Sequence, residues 1–274
     1  MEFTNKHAVI TGGANGIGRC IAETFLRESA AVTIIDTDQL AGERLQAQYN
    51  RLRFFHGDIS EKATLERFIA SLTQPVNYLV NNACIGRGGL LSSCSYEDFE
   101  YVQRVGVIAP YYLASLLLQN CLLAEAASIV NISSTRASQS QPDTEAYSSA
   151  KGGISALTHA MAVSLAGKAR VNAINPGWVE TAGYHSRSTM NTPTVATSMI
   201  SPDAKPSDTS SPTHSQQDNR QHPAGRVGTP EDIAEMVLFL CSQKAGFITG
   251  ESITIDGGMS RLMVYHNDHG WMLK

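Results

Sequence analysis

The chain has 274 residues, 42% of them hydrophobic, and a formal net charge of −4. That is enough apolar material for one large domain, and the negative balance offers no general attraction to nucleic acid or an anionic membrane. No apolar run reaches the roughly 18 residues of a membrane span, the opening MEFTNKHAVITGG lacks a basic region followed by an apolar block, and five scattered cysteines without C-x-x-C suit a reducing compartment; a soluble cytoplasmic protein is expected.

The first predicted strand, HAVIT (7–11), runs through VITGGANGIG (9–18) into a helix over 16–29. Gly12, Gly16 and Gly18 remove side chains where the backbone turns sharply and must approach a ligand. A helix beginning near Gly16 aims its free N–H groups and positive dipole end at the same space, which suits a pyrophosphate. A tight turn that binds nothing would use the same glycines. The second strand, AVTIID (31–36), ends in Asp36, where a carboxylate accepts the hydroxyls of an adenosine ribose and repels a 2′-phosphate. No Lys or Arg stands before Gly16 in the loop or directly after Asp36, so NAD(H) is expected over NADP(H). RFFHGD (53–58) reads as the third strand, with Asp58 placed either to face the adenine or simply to turn the chain. A helix over 61–72 leads to VNYLVNN (76–82), where N-N-A at 81–83 offers backbone and amide groups to the same crevice.

A long helix is predicted over 97–119, then a fifth strand, SIVNISS (128–134), and a sixth, RVNAINP (170–176). Between these two lies EAYSSAKGG (145–153). Tyr147 and Lys151 are four residues apart, on one face of a helix; a tyrosine packed beside a lysine that reaches water would give the same spacing. The segment 183–223 is rich in Ser, Thr, Pro and Asp without apolar periodicity, as in a long functional or disordered loop. Structure resumes with TPEDIAEMVLFLCS (229–242), where Thr229 caps a helix, Pro230 takes its first position and Asp232 reinforces the cap. ESITIDGG (251–258) supplies a last strand and turn. Strand and helix alternate throughout, which implies an α/β domain with a parallel sheet covered on both faces, its ligands beyond the carboxyl ends of the strands.

Taken together, these residues resemble the short-chain dehydrogenase/reductase family over essentially the full chain. The matching set is T-G-x-x-x-G-x-G at 11–18, Asp36, Asp58, N-N-A at 81–83, Ser134 thirteen residues before Tyr147, Lys151, PGWVET at 176–181 and TG…DGG at 249–258. The resemblance implies a single Rossmann-type, doubly wound domain over 1–258 with about seven strands, 183–223 acting as a mobile lid over the substrate and 259–274 as a tail. It implies hydride transfer between a nicotinamide and a small alcohol or carbonyl. By resemblance Tyr147 is the general acid/base, Lys151 lowers its pKa and holds the nicotinamide ribose, and Ser134 hydrogen-bonds the substrate oxygen. Thr181 and the backbone of Val179 hold the carboxamide, while Asn15, Ile17, Ile59, Asn82, Ala83 and Pro176 complete the cofactor surface. The small residues of SSAKGGISALTHAMA imply a helix packed on its copy in a homo-oligomer, a tetramer or dimer. A hydrolase role for Ser134 lacks a G-x-S-x-G elbow.

Two positions depart from the family pattern. Gly106 stands in RVGVIAP (104–110) where the family usually has an asparagine that holds a water beside the lysine, and Cys84 follows N-N-A where a glycine is usual. A glycine inside a helix marks a kink or a gap. Gly106 motivates a second reading, a nicotinamide-binding, redox-responsive module with little turnover. A ketoacyl reductase is a third, against which Asp36 speaks because such enzymes normally want NADPH. His159 is expected to pack or lie at an interface, and Trp178 to wall a pocket. His266 and His269 in the tail lack the further ligands of a metal centre, and no metal is expected.

Overall fold

The computed structural model describes residues 2–185 and 214–263. Seven strands form one parallel sheet: β1 (His7–Thr11), β2 (Ala31–Asp36), β3 (Leu52–His56), β4 (Val76–Asn81), β5 (Leu123–Ile132), β6 (Ala169–Pro176) and β7 (Ser252–Ile255). Their order is β3-β2-β1-β4-β5-β6-β7, with every neighbour parallel. The chain builds outward from β1 in one direction, then returns to build from β4 in the other. The connections diverge there, which opens a crevice beyond the C-terminal ends of β1 and β4.

Consecutive strand residues point to opposite faces, and here both faces are buried. Ile10, Ile34, Val80 and Val130 pack with α1 (Gly16–Arg27) and α8 (Pro230–Cys241), through Phe25, Ile233 and Val237. Their neighbours Val9, Ile35, Leu79 and Ile129 pack on the other side, with Phe68 of α3 (Lys62–Ser71), Leu113 of α5 (Ala109–Gln119) and Met161 of α6 (Glu145–Ser164). Each such side chain contributes about 1.5–3 kcal/mol by leaving water. This is why the strands read as unbroken apolar runs rather than as alternating ones.

Several boundaries differ from the sequence reading. The third strand stops at His56, so Asp58 lies two residues past it; the fifth stops at Ile132, two residues short of Ser134. The fifth also begins earlier, at Leu123, and its register against β4 shifts between Leu123 and Ser128, within LAEAA. The helix expected over 97–119 is three pieces, α4 (Tyr96–Gln103), a π-helical turn (Arg104–Ile108) and α5. Between β2 and β3 lies α2 (Gln39–Gln48), capped by the Asp38 side chain on Ala41 N. Among its described residues the polar segment 183–223 includes the short helix α7 (Gln216–Arg220), closed by a Ser215–Asp218 capping box; its residues 186–213 lie outside the described ones, as do 264–274 of the tail. The expected Thr229 cap of α8 is present, with the Asp232 carboxylate accepting from Thr229 N–H.

Candidate active site

The junction of β1 and α1 has the shape its glycines permit. Gly12 and Gly16 have φ of 64° and 56°, the left-handed region that side chains disfavour. A Cβ on Gly18 would lie 2.1 Å from the Gly12 carbonyl oxygen, and one on Gly12 would lie 2.9 Å from Ala83 Cα. The loop therefore folds against itself and against the end of β4. Thr11 Oγ1 accepts from the N–H groups of Asn82 and Ala83, while Asn82 Nδ2 donates to the Thr11 and Gly12 carbonyls at 3.0 and 2.9 Å. The Asn82 amide nitrogen, expected to face the crevice, is engaged in holding the loop.

Asp36 closes the cradle at the end of β2. Its Oδ1 accepts from Asp38 N–H at 3.0 Å and its Oδ2 from Ala14 N–H at 2.9 Å. Each oxygen keeps acceptor capacity for a further hydroxyl. Burial raises the carboxyl above its ordinary value, and the two N–H groups oppose that. Asn15, which caps α1 with its backbone, donates from Nδ2 to Asp38 at 3.0 Å. Asp58 is held differently: it accepts from Ser60 N–H and from the Tyr101 hydroxyl at 2.9 Å, and burial with that carboxylate pushes the Tyr101 phenol up to about 12. One oxygen thus holds the turn after β3, beside the buried Ile59, and the other ties that turn to Tyr101 of α4.

The far side of the cradle comes from the chain after β6. Pro176 ends that strand, Val179 pairs with Gly228, and the Thr181 side chain sits 3.8 Å from where a Cβ on Gly16 would be. His185 joins it there: its Nδ1 is 2.8 Å from the Thr181 carbonyl and its Cε1 is 3.9 Å from the same Gly16 position. Nothing in the sequence singles out His185 beyond its place one turn after Thr181. A helix N-terminus, an open-sided glycine loop and a carboxylate with spare lone pairs fit a dinucleotide.

The chemistry-bearing groups gather beyond β5. Ser134 caps the short 3-10 turn Thr135–Ala137, its hydroxyl accepting from Arg136 N–H at 3.1 Å and hydrogen-bonded to the Tyr147 hydroxyl. Tyr147 lies in the first turn of α6, with Lys151 one turn later. Lys151 is only 3% exposed; its Nζ donates to the Ile132 carbonyl at 2.7 Å and lies 5.4 Å from the centre of the Tyr147 ring. Ser133 Oγ donates to the Lys151 carbonyl at 2.8 Å, which pins α6 to the end of β5.

Burial drives Tyr147 well above the ordinary phenol value, with Cys84 adding to the rise; the Ser134 hydrogen bond and the Arg136 guanidinium pull the other way. Burial also lowers Lys151, against the pull of Cys84. In the protein alone, the shift of Tyr147 thus runs opposite to the acidification expected from Lys151. The ammonium is itself desolvated, and it donates to a main-chain carbonyl rather than to the phenol. Arg136 is a component that sequence reasoning missed: it is half-buried, faces Tyr147 and donates to Gln141 Oε1. The exposed Cys84 also meets the phenol, with its side chain hydrogen-bonded to Tyr147.

Gly106 sits mid-way in the π-helical turn, so the expected kink takes that form. A Cβ there would stand 2.9 Å from the Ala150 Cβ, next to Lys151. The glycine lets the bulged turn press directly on α6. Gly106→Asn should therefore destabilise the fold by about 1–3 kcal/mol through overpacking, and adding Ala150→Gly should recover part of that loss. Urea unfolding of the two single variants and the double reads the coupling; strict additivity would show that the two positions do not press on each other.

Other expected positions are more peripheral. His159 is exposed on α6, and Trp178 lines a cavity of about 230 Å³ with Arg226 and Asp256 beyond β6 and β7. His266, His269 and Trp271 lie outside the described residues.

A parallel sheet with a glycine cradle at its switch point and a Ser–Tyr–Lys set at the cradle's edge defines a nicotinamide-dinucleotide oxidoreductase. The chain belongs to the short-chain dehydrogenase family: the model described as "short chain dehydrogenase" matches residues 6–192, and a second, "Enoyl-(Acyl carrier protein) reductase", matches 189–260. An uncharacterized oxidoreductase of Thermotoga maritima is 37% identical over 269 residues, covering 95% of this chain and 98% of its own. A 2-(S)-hydroxypropyl-CoM dehydrogenase of Xanthobacter autotrophicus is 34% identical, covering 95% and 99%. The solved structure of an apo SCOR enzyme from Clostridium thermocellum superposes with a TM-score of 0.83 at 42% identity, covering 99% of each chain. Among the described residues no helix is long and apolar enough to cross a membrane.

Proposed function

We propose that the protein is an NAD(H)-dependent oxidoreductase of small alcohols or carbonyls, with Tyr147 as general acid/base. The observation that carries this reading is the meeting of Ser134, Tyr147 and Lys151 at one end of the sheet, alongside a cradle closed by the Asp36 carboxylate. Gly12, Gly16, Gly18, Asp36, Val179 and Thr181 are the residues that would hold the dinucleotide. When bound, its nicotinamide supplies or accepts the hydride.

The chain's own work concerns the proton and the substrate oxygen. In the reducing direction the Tyr147 hydroxyl gives its proton to the oxygen as negative charge develops there, and the Ser134 hydroxyl donates a hydrogen bond to the same oxygen. In the oxidising direction Tyr147 takes the proton back. Burial keeps the phenol protonated at neutrality, so the resting site is set as a proton donor. Lys151, fixed by Ile132, keeps positive charge beside the phenol as it ionises. Tyr184 is tied to Glu231 of α8 and so anchors the start of the 183–223 segment, which is the proposed cover of the substrate. The hydroxypropyl substrate in the name of the Xanthobacter relative supports a small hydroxyalkyl class.

A panel of small alcohols and ketones, followed at the nicotinamide absorbance band, is the direct test. Turnover with NAD(H) and at least tenfold lower efficiency with NADP(H) is expected. NADH binding with no turnover across the panel would favour the redox-responsive module, and a preference for NADPH would remove the role given to Asp36.

Exposed apolar side chains on and beside the catalytic helices, Val163 at 78%, Tyr111 at 55% and Ile108 at 53%, support a homo-oligomer, a tetramer or dimer. Light scattering on the purified protein should give a multiple of the chain mass; a monomer would reject it.

A further inference from the structure

The opposite end of the sheet holds a second polar cavity, of about 460 Å³. That lies within the range of small-molecule sites, about 300–1,000 Å³. It opens where β1, β2 and β3 begin, under the loop that follows α3, and takes no residue from the active site. We propose that this cavity is a binding site for a small phosphorylated metabolite, such as a phosphate ester of a polyol.

The register of the strands builds its wall. Val9 pairs with Thr33 and Thr33 with Arg53, so Thr33 and Arg53 share a face with His7, two residues before Val9. His7 is 3% exposed. Its Nε2 lies 2.8 Å from Thr33 Oγ1, whereas its Nδ1 is enclosed without a hydrogen bond. The carbonyls of Pro75 and Gln74 stand beside the ring and favour a proton on it. The tautomer these neighbours select carries hydrogen on Nδ1 and accepts the Thr33 hydroxyl at Nε2. Burial holds the ring neutral, with the Arg53 guanidinium reinforcing this from nearby.

The remaining donors match. The Arg53 side chain forms no ion pair or hydrogen bond among the described residues. Arg51 is anchored by one nitrogen, Nη2 on the Leu26 carbonyl at 2.9 Å, and keeps its other N–H groups. Gln46 gives its carbonyl oxygen to Phe54 N–H at 2.6 Å, which leaves its NH₂ as a donor. No Asp or Glu lines the cavity among the described residues. Two guanidinium groups without a carboxylate partner, flanked by neutral donors, suit the several oxygens of a phosphate. The nearby carbonyls suit hydroxyl groups on the same ligand.

The test is calorimetry and thermal unfolding of the whole protein with glycerol 3-phosphate, with inorganic phosphate as a second probe, and sodium chloride at matched ionic strength as control. Saturable 1:1 binding is expected, with a rise in unfolding temperature that follows ligand concentration. Arg53→Gln and Arg53→Glu should weaken it at least tenfold while the affinity for NADH is unchanged. The Arg53 side chain is exposed, so both variants keep the fold. Any of three results overturns the proposal: equal stabilisation by sodium chloride, undiminished binding in both Arg53 variants, or competition between the phosphate probe and NADH. Affinity for inorganic phosphate equal to that for the ester would also overturn the organic part of the assignment.

Discussion

Replacing Tyr147 with phenylalanine should lower kcat by about 10²–10⁴-fold and leave NADH binding intact. The substitution keeps the ring that Lys151 faces at 5.4 Å and removes only the hydroxyl that meets Ser134 and Cys84. A packing role for Tyr147 therefore predicts a nearly silent variant, whereas a proton-transfer role predicts a dead one. The pH profile adds a second readout. Because burial raises this phenol, alcohol oxidation by the native protein should climb as pH rises toward the alkaline range, as more phenolate becomes available. That climb should vanish with phenylalanine. The linkage has the same origin. A phenol whose folded pKa lies above its unfolded one contributes stability below the unfolded value, and loses it as pH rises through the folded one. Alkaline conditions should thus erode stability of the native protein more than that of the variant. Full kcat in Tyr147→Phe would place the proton donor elsewhere and remove the proposed mechanism.

The parts of this fold that sequence makes legible are those where one residue's chemistry dictates geometry. Gly18 admits no substitute because the Gly12 carbonyl occupies the place of its Cβ, so the cradle can be read from spacing alone. The apolar strands are legible because burial on both faces leaves no polar positions to blur them. The start of β5 is not, since Ala124 to Ala126 carry no apolar pattern and lie in an irregularity, with Ala126 at a φ of 53°, between the Leu123 and Ser128 pairings with β4. The π-helical turn was visible as a suspicious glycine, but its partner Ala150 is 44 residues away and becomes its neighbour only in three dimensions. The site shows the same division. Ser134, Tyr147 and Lys151 announce themselves by spacing, and Cys84 by its departure after N-N-A, whereas Arg136 and His185 matter through proximity to Tyr147 or Gly16 that no local pattern encodes. Charge behaves likewise. An ammonium one turn from a phenol suggests acidification, but whether burial outweighs it depends on how deeply both groups are enclosed.

Asp36→Asn should weaken NADH binding by about tenfold or more and abolish the proposed discrimination against NADPH. A hydrogen bond to a charged group contributes about 1.5–3 kcal/mol, and roughly 1.4 kcal/mol is a factor of ten. The native carboxylate already accepts from Ala14 and Asp38 and, in the proposed complex, has two lone pairs left for ribose hydroxyls. Asparagine presents one oxygen and one NH₂ group, so at most one of the backbone N–H groups keeps its acceptor, and the negative charge that repels a 2′-phosphate is gone. The pH dependence follows from the direction of the shift. Burial raises the Asp36 carboxyl, so protonation competes with cofactor binding at a higher pH than for a free carboxylate. NADH affinity of the native protein should accordingly fall as pH drops through the carboxylate range, while the affinity of the variant stays flat. The sign for folding is opposite to that of a stabilising carboxylate: a raised folded pKa means that ionising Asp36 costs stability as pH rises. The ionised carboxylate thus costs stability, which fits the binding role proposed for Asp36. Fluorescence titration of NADH and NADPH from acid to neutral pH reads both effects, and an unchanged NADH preference in Asp36→Asn would show that selectivity resides elsewhere in the cradle.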